Sequence, residues 1–257
     1  MKKCIWCLQD ESMVLFNKQA HTVPKSLGGK NICLNVCDGC NSFFGQHYKG
    51  LPPVESAIKE AFNITRAKFL ESDGRFGKNK PMTRVKSEYF DVDFKKRKIE
   101  LKPHYRFYQK GFQQKLSRQL KKGLYKIFLE EIERQRGEGH ETKYDFIREF
   151  ARHDRGDYPV FYFERSIGVI LMAKEWAERP EFFLQDKKQM NYLVDEPGFF
   201  EFEFLGHVFG IATSRSWDLV FDNYKKKSFA AKEKFFKQMR VVKEFRDIDL
   251  TLNILND

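Results

Sequence analysis

Cys4-Ile-Trp-Cys7, His21-Thr-Val-Pro-Lys-Ser-Leu-Gly-Gly29 and Val36-Cys-Asp-Gly-Cys-Asn41 are the stretches that decide how this chain is read. Two Cys-x-x-Cys pairs, Cys4/Cys7 and Cys37/Cys40, stand on either side of the histidine stretch. Each pair presents two sulfurs on one tight turn, so together they can give one zinc ion its tetrahedron of thiolates. Such a site is coordinatively closed and cannot activate water, so the expected role of the four cysteines is structural. Cys33 is the spare thiol. It is read as a small core residue, with replacement of one of the four ligands as the alternative.

All five cysteines lie between Cys4 and Cys40, too few and too clustered for a disulfide framework. Reduced, metal-binding thiols point instead to a cytoplasmic setting. No apolar run approaches the ~20 residues of a membrane span, and the start Met-Lys-Lys-Cys-Ile-Trp-Cys lacks the apolar stretch of a signal peptide. The formal charge of +11 points to a polyanion, with nucleic acid the default partner and no membrane.

At 257 residues, 41% hydrophobic and 16% aromatic with 27 Phe, the chain has material for a substantial core. The expected class is α+β. Residues 1–52 form a small zinc-stabilised module, too short for a large apolar core of its own. Residues 53–82 form a linking helix, with Val54, Ile58, Ala61, Phe62, Thr65 and Phe69 at helical spacing, and a Gly-rich loop. Residues 83–257 form an α+β part with an antiparallel sheet.

Within that last part, alternation from Val85 to Leu101 predicts a hairpin turning near 95–98. Apolar residues from Phe112 to Ile132 predict a long helix over 109–135, and a shorter one follows over 143–152. Strands are expected at 159–163 and within 199–213. Residues 167–176 fit strand or helix equally. A basic helix is expected over 224–246. Lys115, Arg118, Lys121, Lys122 and Lys126 are read as a basic helical stripe able to meet phosphates, as are the 95–98 turn and the helix bearing Lys225, Lys226, Lys227 and Lys232. Solvated helix faces are the simpler reading of each stripe alone. Trp176 and Trp217 read as core. His104, His140, His153 and His207 have no metal-ligand spacing.

His21 follows a short β-like stretch, Met13–Phe16, and Pro24 stiffens the turn after it. A histidine held there suits a general base, because its imidazole exchanges protons near neutrality. By itself it equally suits a hydrogen-bond network or a metal site.

Together these residues resemble the HNH endonucleases, specifically the group with His-x-x-Pro-x-Ser-Leu-Gly-Gly and Cys-x-x-Cys-Asn. The resemblance runs from the start of the chain to about Gly50. It implies a β-hairpin and a helix clasping one catalytic divalent cation, Mg²⁺ or another, above a structural Zn²⁺. It implies His21 as the general base, Asn31 as the residue orienting it (Asn35 being the alternative), and Asn41 as a ligand of the catalytic ion. His47, six residues after Asn41, is a further candidate ligand if a break near Gly45 brings it round to face the same way, and a surface residue otherwise. Ala20 departs from the family, whose members commonly carry Asp, Glu or His before the base.

The implied activity is hydrolysis of DNA phosphodiester bonds, in a restriction, defence or mobile-element setting. Composition does not separate DNA from RNA. A homodimer would let a single-site nuclease cut both strands, though nothing in the sequence demands one. The competing expectation is a non-catalytic, zinc-stabilised nucleic-acid-binding protein. A third is a C-terminal part that senses a ligand or protein and gates the nuclease.

Overall fold

The N-terminal segment folds as two short strands and a helix: β1 (Ala20–His21), β2 (Ile32–Cys33) and α1 (Asp38–Gly45). The computed structural model describes residues 1–72, 86–93, 98–106, 109–165, 180, 196–232 and 236–248. Helix α2 (Val54–Ser72) begins just after Pro52-Pro53, where the second proline supplies a carbonyl to the Ala57 N–H at 3.1 Å and needs no N–H of its own. A hairpin follows, β3 (Phe90–Asp93) with β4 (Lys98–Leu101), in the register Phe90↔Leu101 and Asp93↔Lys98. Its turn, like the Gly-rich loop after Ser72 and the ambiguous 167–176 segment with Trp176, lies outside the described residues.

Short α3 (Pro103–Arg106) leads to the long helix α4 (Gln109–Arg136), and α5 (Asp145–Ala151) comes next. The sheet contains β5 (Val160–Arg165), β6 (Phe199–Phe204), β7 (His207–Ala212) and β8 (Phe236–Val241), with α6 (Trp217–Lys232) between the last two. Its order is β6-β7-β5-β8 and every neighbouring pair is antiparallel. The α+β class is therefore the observed one. Among the described residues no helix is long and apolar enough to cross a membrane.

The sheet is covered on both faces, and the strand period of two sorts its side chains. Val160, Tyr162, Phe202, Phe204, Phe209 and Ile211 join the main core with α2 and α4. Phe161, Phe163, Phe199 and Val208 point the other way, onto Tyr224 and Phe221 of α6, with Trp217 half-buried beside them. Phe62 of α2 meets Phe204 edge-on at 4.6 Å. His207 joins the same layers: Nε2 lies 2.9 Å from the Thr65 hydroxyl and Nδ1 lies 3.2 Å from the Tyr162 hydroxyl. Helices α2 and α4 pack so closely that a Cβ on Gly123 would stand 2.4 Å from Ile58 Cγ1. The main buried cluster runs from Cys4 to Ile248 and crosses residue 52 without a break.

Three expectations are corrected. The 224–246 segment is not one helix: α6 begins earlier, at Trp217, and Phe236–Val241 is β8, paired with β5. Only Phe236 and Met239 of β8 pack on the sheet, so an edge strand with outward Lys237, Gln238 and Arg240 gave a basic pattern resembling a helix face. Met13–Phe16 is not a strand. Its N-terminal part turns on the Asp10 carbonyl, which takes the Met13 and Val14 N–H groups, and the strand falls on Ala20–His21.

The α4 basic stripe is likewise not a phosphate-binding face. Lys121, Lys122 and Lys126 are buried at 7%, 1% and 0% exposure. Lys121 pairs with Asp157 at 2.5 Å, Lys122 with Asp154 at 2.5 Å, and Lys126 with Glu130 at 2.8 Å. Arg118 is also engaged, with Asp154 at 3.0 Å. A helix enclosed by other elements can carry lysines inside only when carboxylates meet them, and here they do.

Candidate metal centre and hydrolytic site

The two Cys-x-x-Cys turns converge. The four Sγ atoms of Cys4, Cys7, Cys37 and Cys40 all lie within 4.8 Å of one another, and Cys7 Sγ is 3.7 Å from Cys37 Sγ. Zn–S bonds of about 2.3 Å place tetrahedral sulfurs roughly 3.8 Å apart, so the cluster fits a zinc-sized ion. Backbone donors are already aimed at the sulfurs. The N–H groups of Trp6 and Cys37 donate to Cys4 Sγ, and that of Cys40 to Cys37 Sγ, each at 3.4 Å. Cys37 is also the N-cap of α1, where its sulfur takes that Cys40 N–H.

Arg152, just past α5, donates from Nε to Cys40 Sγ at 3.5 Å while its guanidinium stacks on Phe43 at 4.2 Å. The Cys4 thiol is lowered to about 4, chiefly because Cys40 donates to it, while burial pushes Cys7 up to about 11. A cation at the centre would favour all four as thiolates. Cys33 is buried, and burial pushes its thiol far up, which suits an inert core residue.

His21 stands on the strand beside this knot. Its partner across the strand pair is Ile32, and Ala20 faces Cys33. The intervening motif folds as a 3₁₀ turn over Lys25–Leu27 with Leu27 buried. Gly28 takes the left-handed conformation at φ 91°, and Gly29 comes so close that a Cβ would lie 2.0 Å from the Val23 carbonyl oxygen. That reversal returns the chain so that the Thr22 N–H donates to the Asn31 carbonyl at 3.0 Å.

Asn41, in α1, donates from Nδ2 to the carbonyl of Gln19, next but one to His21, at 3.3 Å. The Asn31 carbonyl and the Asn41 side chain thus bond the backbone on either side of His21, at Thr22 and Gln19, while no described contact joins either asparagine side chain to the imidazole. The imidazole is half-buried, and its Nδ1 is a buried nitrogen without a hydrogen-bond partner among the described residues. Asn35 is engaged elsewhere, donating from Nδ2 to Glu133 at 2.5 Å. His47 is exposed beyond the end of α1, where Gln46 is extended, and no described contact joins it to His21 or Asn41. Ala20 is fully buried in the core. Among the described residues, the cysteine tetrad is the one cluster of three or more Cys, His, Asp or Glu able to hold an ion.

The order is strand, strand, helix, with a sulfur knot at its base and a histidine on the first strand. Residues 4–50 match the HNH endonuclease family model. No curated protein and no solved structure matches the chain. The HNH segment thus carries both the tetrad and His21, while the helices and sheet that enclose it lie outside the matched residues.

What the sequence reading missed lies in α4. Glu130 accepts from the Trp6 indole N–H at 3.1 Å, Glu131 accepts from the Thr22 hydroxyl at 2.6 Å, and Lys126 donates to the His21 carbonyl at 2.9 Å. The available signal was the Lys126/Glu130 spacing within a run of apolar neighbours, which suits an enclosed pair as well as an exposed one.

Proposed function

We propose that this chain is a metal-dependent endonuclease that hydrolyses DNA phosphodiester bonds, with His21 as general base. The observation that carries this reading is the unpartnered, buried Nδ1 of His21, on a strand whose backbone is held on both sides within a segment matching the HNH endonucleases. As general base the imidazole takes a proton from water as the water oxygen attacks phosphorus, through a ring nitrogen that has to be opened to that water, since Nδ1 is enclosed in this structure. The bond to the leaving sugar oxygen breaks as the new P–O bond forms. Asn31 and Asn41 hold the strand and helix about the imidazole, and the Asn41 side-chain oxygen is the donor left for an ion. A divalent cation such as Mg²⁺, bound with Asn41 and contributions from water, substrate phosphate and His47, would supply charge stabilisation at the phosphate and leaving oxygen.

The tetrad is proposed to hold structural Zn²⁺. Residues 1–52 are then the catalytic module, 53–82 the link, and 83–257 the part that positions DNA or regulates cutting. Lys225, Lys226 and Lys227 are exposed on α6 and can meet phosphates, in keeping with the net charge of +11, though Lys225 and Lys227 also pair with Asp222 and Glu196. Clustered free thiols suit a reducing cytoplasm, and a restriction or defence setting follows from the family likeness.

Buried Ala20 favours a second reading, a nucleic-acid-binding protein without catalysis, because no carboxylate or imidazole stands at that position. Plasmid incubated with the protein in EDTA, Mg²⁺, Mn²⁺ or Ni²⁺, beside His21→Ala, separates the two. Cleavage by wild type alone, and only with added ion, supports the nuclease. Equal retardation of DNA by both proteins with no cleavage supports the binding protein.

A further inference from the structure

Helix α4 lies outside the segment that matches the family, yet it holds the backbone on which His21 sits. Lys126 Nζ donates to the His21 carbonyl at 2.9 Å, to Glu130 Oε2 at 2.8 Å, and more weakly to the Thr22 carbonyl at 3.4 Å. An ammonium has three N–H donors, so all are committed. One turn further along, Glu131 Oε1 accepts the Thr22 hydroxyl at 2.6 Å, while its other oxygen takes Arg134 Nε at 2.9 Å and Gln135 Nε2 at 2.7 Å.

Lys126 and Glu130 are wholly buried, as are Thr22 and Glu131. The same node reaches the other parts of the site. Glu130 bonds Trp6, inside the first Cys-x-x-Cys turn, and Lys126 Nζ lies 5.6 Å from the Phe44 ring on the helix that carries Asn41.

We propose that Lys126 and Glu131 are positioning residues for the hydrolytic site, fixing the His21 imidazole by gripping the strand at residues 21 and 22 from α4. The proposal rests on the reading of His21 as the base. A buried ion pair is a weak device for stability alone, because apolar residues of the same shape often serve a fold as well or better. Its particular effect here is geometric. Three polar contacts fix the carbonyls of residues 21 and 22 and the Thr22 side chain, and a general base works only when its nitrogen is held within a fraction of an ångström of the attacking water.

Thr22 supplies the test, since valine keeps its shape without the hydroxyl and serine keeps the hydroxyl. Full-length, zinc-loaded wild type, Thr22→Val, Thr22→Ser, Lys126→Met and Glu131→Gln are compared for zinc content, DNA retardation, the pH profile of plasmid cleavage and the NMR titration of His21. Thr22→Val is expected to keep its zinc and its DNA retardation. It is expected to cleave at least ~10-fold more slowly with a displaced pH profile and His21 titration, and serine is expected to restore both. Lys126→Met moves the same readouts in the same direction.

Cleavage within twofold of wild type, with an unmoved His21 titration in Thr22→Val and Lys126→Met, overturns the proposal. If wild type cuts no DNA, the nuclease reading fails by itself and the His21 titration decides alone: unmoved overturns positioning, and moved by valine but restored by serine supports it. If Thr22→Val does not hold zinc, Glu131→Gln, which keeps the side-chain shape, takes its place under the same two outcomes.

Discussion

Gly29 leaves no room for a side chain, since the nearest atom to an added Cβ is a backbone oxygen only 2.0 Å away. A backbone oxygen cannot swing aside, so Gly29→Ala has to open the turn that returns the chain from His21 to Asn31. We expect a loss on the order of 3 kcal/mol in a urea titration, against about 1 kcal/mol for Gly50→Ala, where an added Cβ meets nothing within 4 Å and only the left-handed φ of 71° is at stake. Equal losses at the two positions would mean that the close approach to Val23 is not a constraint. Ala20 gives the complementary case. Placing an acidic residue at that position, Ala20→Asp, puts a carboxylate in the core and is expected to cost about 2 kcal/mol or more without raising divalent-ion affinity, measured by calorimetry beside the melt. Gained affinity in a stable variant would show that the strand can turn this side chain outward. At this scale the tetrad was legible because zinc demands given residue types at given spacing. The environment of His21 was not, because a buried, unpartnered Nδ1 depends on residues packed from elsewhere in the chain.

Helix α4 was legible in extent and mistaken in surroundings. Its apolar period predicted a helix ending at 135, against the observed Arg136, but its lysines meet Asp154 and Asp157, which lie beyond the next helix in the chain, and no local pattern announces such partners. The enclosed pair on this helix has a pH consequence. Burial raises the Glu130 carboxyl to about 7, and it outweighs the opposing pull of Lys126. A raised carboxyl means that the folded state binds the proton more tightly than the unfolded one. Its contribution to stability is therefore fully present below about pH 4.5 and lost as pH rises to about 7. Relative to Glu130→Gln, wild type should lose on the order of 3 kcal/mol between pH 4.5 and 8, read from urea melts at both ends. A gap between the two proteins that stays constant with pH would show that Glu130 ionises as an ordinary surface carboxylate does. The β8 strand was misread for a related reason: an edge strand with a register shift opposite it packs Phe236 and Met239, three residues apart, and leaves a basic outer row, a spacing that a helix face gives as well.

Across the whole molecule, composition suggested a boundary after residue 52, where cysteines and glycines give way to helical periodicity. The packing does not pause there. Trp6, Leu27 and Cys33 share a buried cluster with α2, α4 and the sheet, and Arg148 of α5 donates to the Ile5 carbonyl at 2.6 Å. Zinc binding in so small a segment is folding free energy, on the order of 10 kcal/mol for structural sites at neutral pH. Because the cluster is continuous, that energy should reach the entire chain rather than the HNH segment alone. The zinc-loaded protein is expected to unfold in one calorimetric transition. Cys37→Ser, which removes one of the four sulfurs while leaving a hydroxyl able to cap α1, should lower that single transition by about 10 °C or more, as expected for a loss of several kcal/mol in a chain of this size, and should leave the HNH segment open to protease. Two resolved transitions in wild type, with only the smaller one sensitive to Cys37→Ser, would instead make the HNH segment an independent unit, and α4 would then be a neighbour of the site rather than part of its frame.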